Sequence, residues 1–426
     1  MIMDIRDLKS RIIPTPQFVE EKGGRVKIAE FGKGFYGIVS AVHPDGLEKS
    51  AYDKVRGSVV ELCAAVPCGE EMTDWSPAGE KKYEIVLRVD PDNARFAENG
   101  RAESYFISTN ENGADLCGYD SAGLFYAAVT FSHMLEKEGD EVFVPFAEIY
   151  DYPEFTDRGN FLECRYGSDF MTKEDYVKAI DYFADMKINQ LTVGLYGCWC
   201  VQYDKLISEY LYLPIKKHPE LKTPRNIKYY SAEERKWVYK KNVLPTMFKE
   251  DYLSDIMAYG KTKNVMIKPL FNSLGHNTLI PRLIPEISAK DENGNPTGHY
   301  FCVSDEKTYD VMFDIYDELI DNYMRPNGID GIEIGLDEVY AGLGENTENV
   351  FGRYDPHCKC EKCRSVEFKE LMIRYVERIC GYLKKKGIKS VYIYQDMFQG
   401  HFDCIHEDLA ERFKKAGIYD VVVFDW

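Results

Sequence analysis

The chain has 426 residues, 45% of them hydrophobic, which suits two domains with real cores, one of them large. A formal charge of −18 and a pI near 5.0 deny nucleic acid and anionic membrane the basic surface they need. No apolar run reaches the length of a membrane span, Met1 to Lys9 holds no signal-peptide core, and twelve cysteines lack framework spacing, so reduced thiols in a cytoplasmic protein are expected.

Up to about residue 150 the pattern is one of short strands followed by a helix. Strands are expected at Arg25–Glu30, Phe35–Ser40, Ser58–Val66, Tyr83–Val89, Glu103–Thr109 and Ala114–Gly118, several of them separated by polar turns such as Pro91-Asp92-Asn93. A helix follows from Ala122 to Lys137, with Ser121 as N-cap and Leu124, Phe125, Ala128, Phe131 and Leu135 as its buried stripe. Residues 1–150 therefore read as a small α+β domain.

Residues 151–426 change to alternating strand and helix. Strands are expected at Gly159–Cys164, Asn189–Tyr196, Val265–Phe271, Ile332–Leu336, Val391–Tyr394 and Val421–Phe424. Helices are expected from Thr172, around Tyr252–Tyr259, and at Lys307–Tyr323, Val366–Lys386 and Glu407–Ala416. Repeated units of this kind imply a parallel sheet covered by helices, and a (β/α)8-type TIM barrel places its polar residues at the strands' C-terminal ends. A doubly wound sheet is the competitor, but the first strand lacks its Gly-rich phosphate loop. Six strands fall short of the eight a barrel needs, so a barrel incomplete at the C-terminus and a fragment of a longer chain are expected. The alternative is two strands overlooked between Val201 and Asn264.

The most informative residues are Asp337 and Glu338, where the apolar alternation of Ile332, Ile334 and Leu336 runs out. Two carboxylates there must be solvated, paired or used. Neighbouring residues point in different directions, so one acid can act at a bond while the other holds another part of the same ligand. Glycosidic-bond chemistry has that requirement. A solvated loop start or an ion-pair site is the plainer alternative. The 31 tyrosines offer rings with polar tips that suit sugars, or half-buried packing.

Several segments, in order, resemble glycoside hydrolase family 20, the β-N-acetylhexosaminidases. Arg11-Ile-Ile-Pro14-Thr-Pro16 and Gly118-Tyr-Asp120-Ser-Ala-Gly123-Leu-Phe-Tyr126 are similar to that family's small N-terminal domain. Ile149-Tyr-Asp151-Tyr-Pro153-Glu-Phe155-Thr-Asp-Arg158-Gly159 resembles the entry to its catalytic barrel. Met186-Lys-Ile-Asn189, Gly275-His276, Gly335-Leu-Asp337-Glu338-Val339 and Tyr394-Gln-Asp396-Met397 resemble segments near strands two to five. The resemblance implies removal of terminal N-acetylhexosamine from a small carbohydrate by substrate-assisted catalysis, with no cofactor. It implies that Glu338 is the acid and then the base, and that Asp337 orients the acetamido N–H. Arg158 would hold sugar hydroxyls, unless it is merely ion-paired with Glu163 or Glu338. His276 would tether an acid, Asp396 would belong to the sugar site, and Tyr394, Phe424 and, after strand two, Trp199 would wall it. Two departures stand out: Glu333 lies where the family carries a histidine, and Tyr196-Gly-Cys-Trp199-Cys200 carries no acid. They leave a non-catalytic or weakly active sugar-binding protein as the alternative.

His357-Cys358-Lys-Cys360-Glu-Lys-Cys363 is a separate signal. Its polarity argues against core-filling cysteines, and Cys-x-Cys-x-x-Cys can wrap a structural zinc. The fourth ligand stays open between Asp355, His357 and a distant cysteine. The alternative is a loop of free or disulfide-linked thiols. A metal-dependent hydrolase centred here would need nearby histidines, and the sequence offers no compact histidine–acid set.

Overall fold

Strands rich in β-branched and aromatic residues build two large sheets and two separate hairpins among the described residues. The computed structural model describes residues 7–31, 34–35, 37–41, 45–63, 83–162, 170–197, 210–222, 224–277, 279–337, 339, 357–395 and 407–424. Two compact units divide the chain, and the first gathers Met1–Arg158, Lys178–Asn189 and Tyr259–Val265.

In that unit the strands run in the order Gly34–Phe35, Phe18–Glu30, Glu141–Asp151, Tyr105–Thr109, Gly113–Gly118, Tyr83–Val89 and Gly37–Ala41. The last three pair in parallel and the others antiparallel. Two helices, Gly46–Cys63 and Ser121–Met134, pack on the sheet and on each other. The first of them overturns the strand expected at Ser58–Val66. Ala51, Val55 and Val59 are fully buried at a spacing of four, which is the buried stripe of a helix. Val59-Val60 suggested a strand only when read without the turns before it. The cap of the second helix is Asp120 rather than Ser121, its Oδ1 accepting from Gly123 N at 2.7 Å.

The second unit holds the parallel sheet. Its strands are Gly159–Leu162, Gln190–Gly197, Met266–Phe271, Gly331–Glu333, Ser390–Tyr394 and Val421–Phe424, and each pairs in parallel with the next. For these six parallel strands spatial order follows chain order, as in a barrel; a doubly wound sheet reverses order at a switch point. Among the described residues, the stretch named as the alternative place for further barrel strands holds the two-residue strand Tyr210–Leu211, which pairs antiparallel with Tyr196 and Gly197, and a hairpin, Arg225–Ser231 with Lys236–Val243, whose strands pair only with each other. A second hairpin, Ser288–Lys290 with Pro296–Phe301, follows the third strand. Its turn, Asp291 to Asn295, carries the Asn-Gly chemistry that tight turns favour.

Register decides which side chains meet. Thr192 pairs with Lys268, Leu270 with Glu333, Glu333 with Tyr392, and Tyr394 with Phe424. Alternate residues share a face, so Thr192, Lys268, Glu333, Tyr392, Tyr394 and Phe424 lie on one side of this sheet.

Candidate active site

The fourth strand ends at Glu333, and the chain then turns sharply. Gly335 and Leu336 both have left-handed backbone, with φ of 69° and 78°. Glycine is required at 335, because a Cβ there would lie 1.6 Å from Asn272 Oδ1. The turn presents Asp337 beyond the strand's C-terminal end. Residues 272–277, which follow the third strand, lie flush against it. Ser273 N donates to Ile334 O at 3.0 Å, and a Cβ on Gly275 would sit 1.9 Å from Asp337 O. Asn277 braces this loop from within, its Oδ1 accepting from the Tyr196 hydroxyl at 2.6 Å. The loop delivers His276, whose Nε2 lies 2.8 Å from Asp337 Oδ2. Both side chains are only 15% exposed, so the tether is shielded from water. Asp337 Oδ1 is buried with no hydrogen-bond partner among the described residues.

Beneath Asp337 lies Glu333, 2% exposed. Burial pushes its carboxyl up to about 7, hydrogen bonds from Tyr394 and Thr192 and the charge of Lys268 oppose the rise, and Asp337 adds to it. The Lys268 ammonium, equally buried, sits 3.7 Å from the Tyr392 ring centroid. Tyr392 stacks on Phe424 at 5.3 Å, and Tyr394 meets Phe424 at 6.1 Å. The structure thus gathers Asp337, His276, Tyr394 and Phe424 around the strand ends, and adds Glu333, Thr192, Lys268 and Tyr392. The signal for Lys268 was present in the sequence: a lone cation in the apolar run Met266-Ile-Lys-Pro-Leu-Phe271.

Arg158 corrects an expectation. It precedes the first residue of the first strand, whereas Asp337 follows the C-terminal end of the fourth, and in a parallel sheet these are opposite edges. Its guanidinium is committed to its own unit. It donates to Glu103 Oε2 at 2.6 Å, to the Tyr126 hydroxyl at 3.2 Å, and to the carbonyls of Lys187 and Phe155 at 2.8 and 2.7 Å. The ion pair is with Glu103, neither of the two acids expected. Glu338, Asp396 and Trp199 lie outside the described residues.

The sulfurs of Cys358, Cys360 and Cys363 do converge, and Cys302 joins them, with all four ligand atoms within 4.8 Å of one another. Sequence reasoning did not single out Cys302, which lies far up the chain just after the second hairpin. Asp355 lies outside the described residues, and His357 Nε2 faces the carbonyl of Cys363 at 3.0 Å.

Six parallel strands in chain order, with an acid braced by histidine beyond the fourth, define a barrel-type α/β protein with its candidate site at the strands' C-terminal ends. The family model "Glycosyl hydrolase family 20, catalytic domain" matches residues 155–412, more than half of the chain, and the protein belongs to that family. A β-hexosaminidase of Vibrio furnissii is 23% identical over 381 residues, which is 85% of this chain and 54% of that protein. An N,N'-diacetylchitobiase of Vibrio harveyi is 25% identical over 190 residues, 45% of this chain and 19% of that one. The chain therefore spans about half, or less, of these relatives' lengths. Among solved structures, an exo β-N-acetylglucosaminidase of Vibrio harveyi in complex with N-acetylglucosamine superposes with a TM-score of 0.65 at 16% identity, covering 98% of this chain and 60% of that one. A β-N-acetylhexosaminidase of Streptomyces coelicolor gives 0.61 at 17% identity, covering 98% and 75%.

Proposed function

We propose that this protein removes terminal β-linked N-acetylhexosamine from small carbohydrates by substrate-assisted, retaining catalysis. The observation that carries this is Asp337, clamped by His276 beyond the fourth strand and followed directly by Glu338. The Asp337 oxygen that has no partner among the described residues is suited to accept the acetamido N–H. Held there, the acetamido oxygen attacks the anomeric carbon as the glycosidic C–O bond breaks. Glu338 gives its proton to the leaving oxygen. The resulting oxazoline is opened by water, whose proton returns to Glu338, and the acetamide re-forms with overall retention. Tyr394 and Phe424 offer apolar ring faces to the sugar's C–H surface. The N-acetylglucosamine held by the structurally similar Vibrio harveyi enzyme supports the substrate class. Cys117, Cys302, Cys358, Cys360, Cys363 and Cys380 form no disulfide, and among the described residues no helix is long and apolar enough to cross a membrane.

Turnover of a β-linked N-acetylglucosamine disaccharide tests the reading. Glu338→Gln is expected to lose at least about 100-fold in kcat. Asp337→Asn should lose rate most on substrates whose acetamido group must attack. Comparable turnover by wild type and Glu338→Gln would remove Glu338 from its role. Binding of N-acetylglucosamine without turnover by the wild type would favour a sugar-binding protein instead.

A further inference from the structure

Cys302 Sγ lies 3.6 Å from Cys360 Sγ and 3.8 Å from Cys363 Sγ. A disulfide needs about 2.05 Å. Tetrahedral coordination with Zn–S bonds of about 2.3 Å sets sulfurs about 3.8 Å apart. The four sulfurs therefore surround a space the size of one ion, too small for a multi-iron cluster. The backbone is arranged to match. Lys290 N points at Cys358 Sγ from 3.2 Å, and Ser304 Oγ lies 3.1 Å from Cys363 Sγ, contacts that would steady thiolates. Cys363 N and Arg364 N both close on Cys360 O at 3.0 Å, folding the Cys-x-x-Cys turn so that both sulfurs face inward. Ala289 and Leu371 are buried against the cluster, and Val303 and Val366 pack on it. A turn as polar as His357 to Cys363 has little other apolar surface to hold it in place.

We propose that Cys302, Cys358, Cys360 and Cys363 bind one Zn²⁺ in a closed four-thiolate site, and that this site staples the hairpin beyond the His276 loop to the turn His357 to Cys363. Four protein ligands leave no open position, so the metal is structural. One side of the staple is the hairpin beyond His276, joined to that loop by Tyr300 N to Asn277 O at 3.2 Å and to Cys302 by Cys302 N to Ile287 O at 2.8 Å. The other side is the turn His357 to Cys363, where Lys359 N donates to Lys290 O at 2.8 Å.

The test reads metal rather than turnover, so it stands or falls independently of the proposed activity. Elemental analysis of the full chain, expressed in zinc-replete medium and purified without chelator, should give about one zinc per chain. Titration with an organomercurial should release that zinc as the thiols react. Cobalt(II) in its place should show the visible d–d and thiolate charge-transfer bands of tetrahedral sulfur coordination. Cys302→Ser should lose most of the zinc and lower the thermal midpoint, whereas Cys380→Ser, at a buried cysteine outside the cluster, should keep its stoichiometry. Absence of metal from the wild type, iron in place of zinc, or full zinc retention by Cys302→Ser would each overturn the proposal. The wild-type measurements decide the matter even if Cys302→Ser fails to fold.

Discussion

Glu333 is the carboxyl most withdrawn from water near Asp337, and its titration has a definite sign. Burial raises its pKa from 4.5 to about 7, so the native state holds this proton more tightly than the unfolded chain does. Its contribution to stability is complete below pH 4.5 and is lost as the pH rises through 7. A shift of that size corresponds to about 3 kcal/mol. Glu333→Gln should therefore be more stable than wild type above pH 7 by up to about 3 kcal/mol, with the difference closing toward pH 4.5. Urea unfolding across that range measures it, and parallel pH curves would refute it. Arg158 yields a prediction of the opposite kind. With its bonds to Glu103, Tyr126 and backbone carbonyls, Arg158→Gln should cost about 2 kcal/mol in stability and leave KM unchanged. Strand polarity directs attention instead to Arg165, which follows the C-terminal end of the first strand in sequence; Arg165→Gln is expected to raise KM. The two arginines flank one short strand and look alike in sequence. Which end of a strand meets substrate is a property of the sheet, so residue identity alone misassigned Arg158.

At the scale of elements, the parallel strands were legible because each couples a short apolar run to a helix of clear 3.6 period. Val421–Phe424 and Glu407–Ala416 match their expected limits. The helix at Gly46–Cys63 was not, since its β-branched end mimics a strand, and Cys302 was not, since its partners lie 56 to 61 positions away in sequence. Pairing of loops is equally invisible in sequence, yet it builds the site. Gly275 is the clearest case, for its α-carbon faces the carbonyl of Asp337 with no room for a methyl group. In Gly275→Ala a Cβ 1.9 Å from that oxygen must push the two loops apart. The cost should be about 3 kcal/mol of stability. A displacement of Asp337 near 1 Å should lower kcat by about 100-fold. Kinetics and thermal unfolding of the one variant check both; unchanged kcat would mean that the apposition of these loops does not position Asp337.

For the whole molecule, the division of the chain carries a consequence of its own. The first unit takes in Lys178–Asn189 and Tyr259–Val265, segments that lie well inside the family-matched region of residues 155–412. Several of their polar side chains are paired within that unit. Lys187 Nζ, almost fully buried, donates to Tyr105 OH at 2.6 Å and to Asp151 Oδ2 at 2.8 Å. Burial draws its ammonium below the ordinary lysine range, and the charge of Asp151 opposes that shift. Asn189 and Asn264 both donate to Glu103 Oε1, at 3.1 and 2.8 Å, beside the Arg158 contact. A cut at residue 150 would therefore remove Tyr105 and Glu103 and strand a lysine, an arginine and two amides without these partners. Buried polar groups left unpaired cost about 1–3 kcal/mol each, and charged ones more, against a typical net stability of about 5–15 kcal/mol. The segment 151–426 expressed alone is accordingly expected to show no cooperative thermal transition, while Glu103→Gln in the full chain keeps its fold with a lowered midpoint. A cooperative transition of the isolated segment at the full-length temperature would show that these bonds are dispensable, and that the barrel's stability resides in the apolar faces of its own sheet and helices.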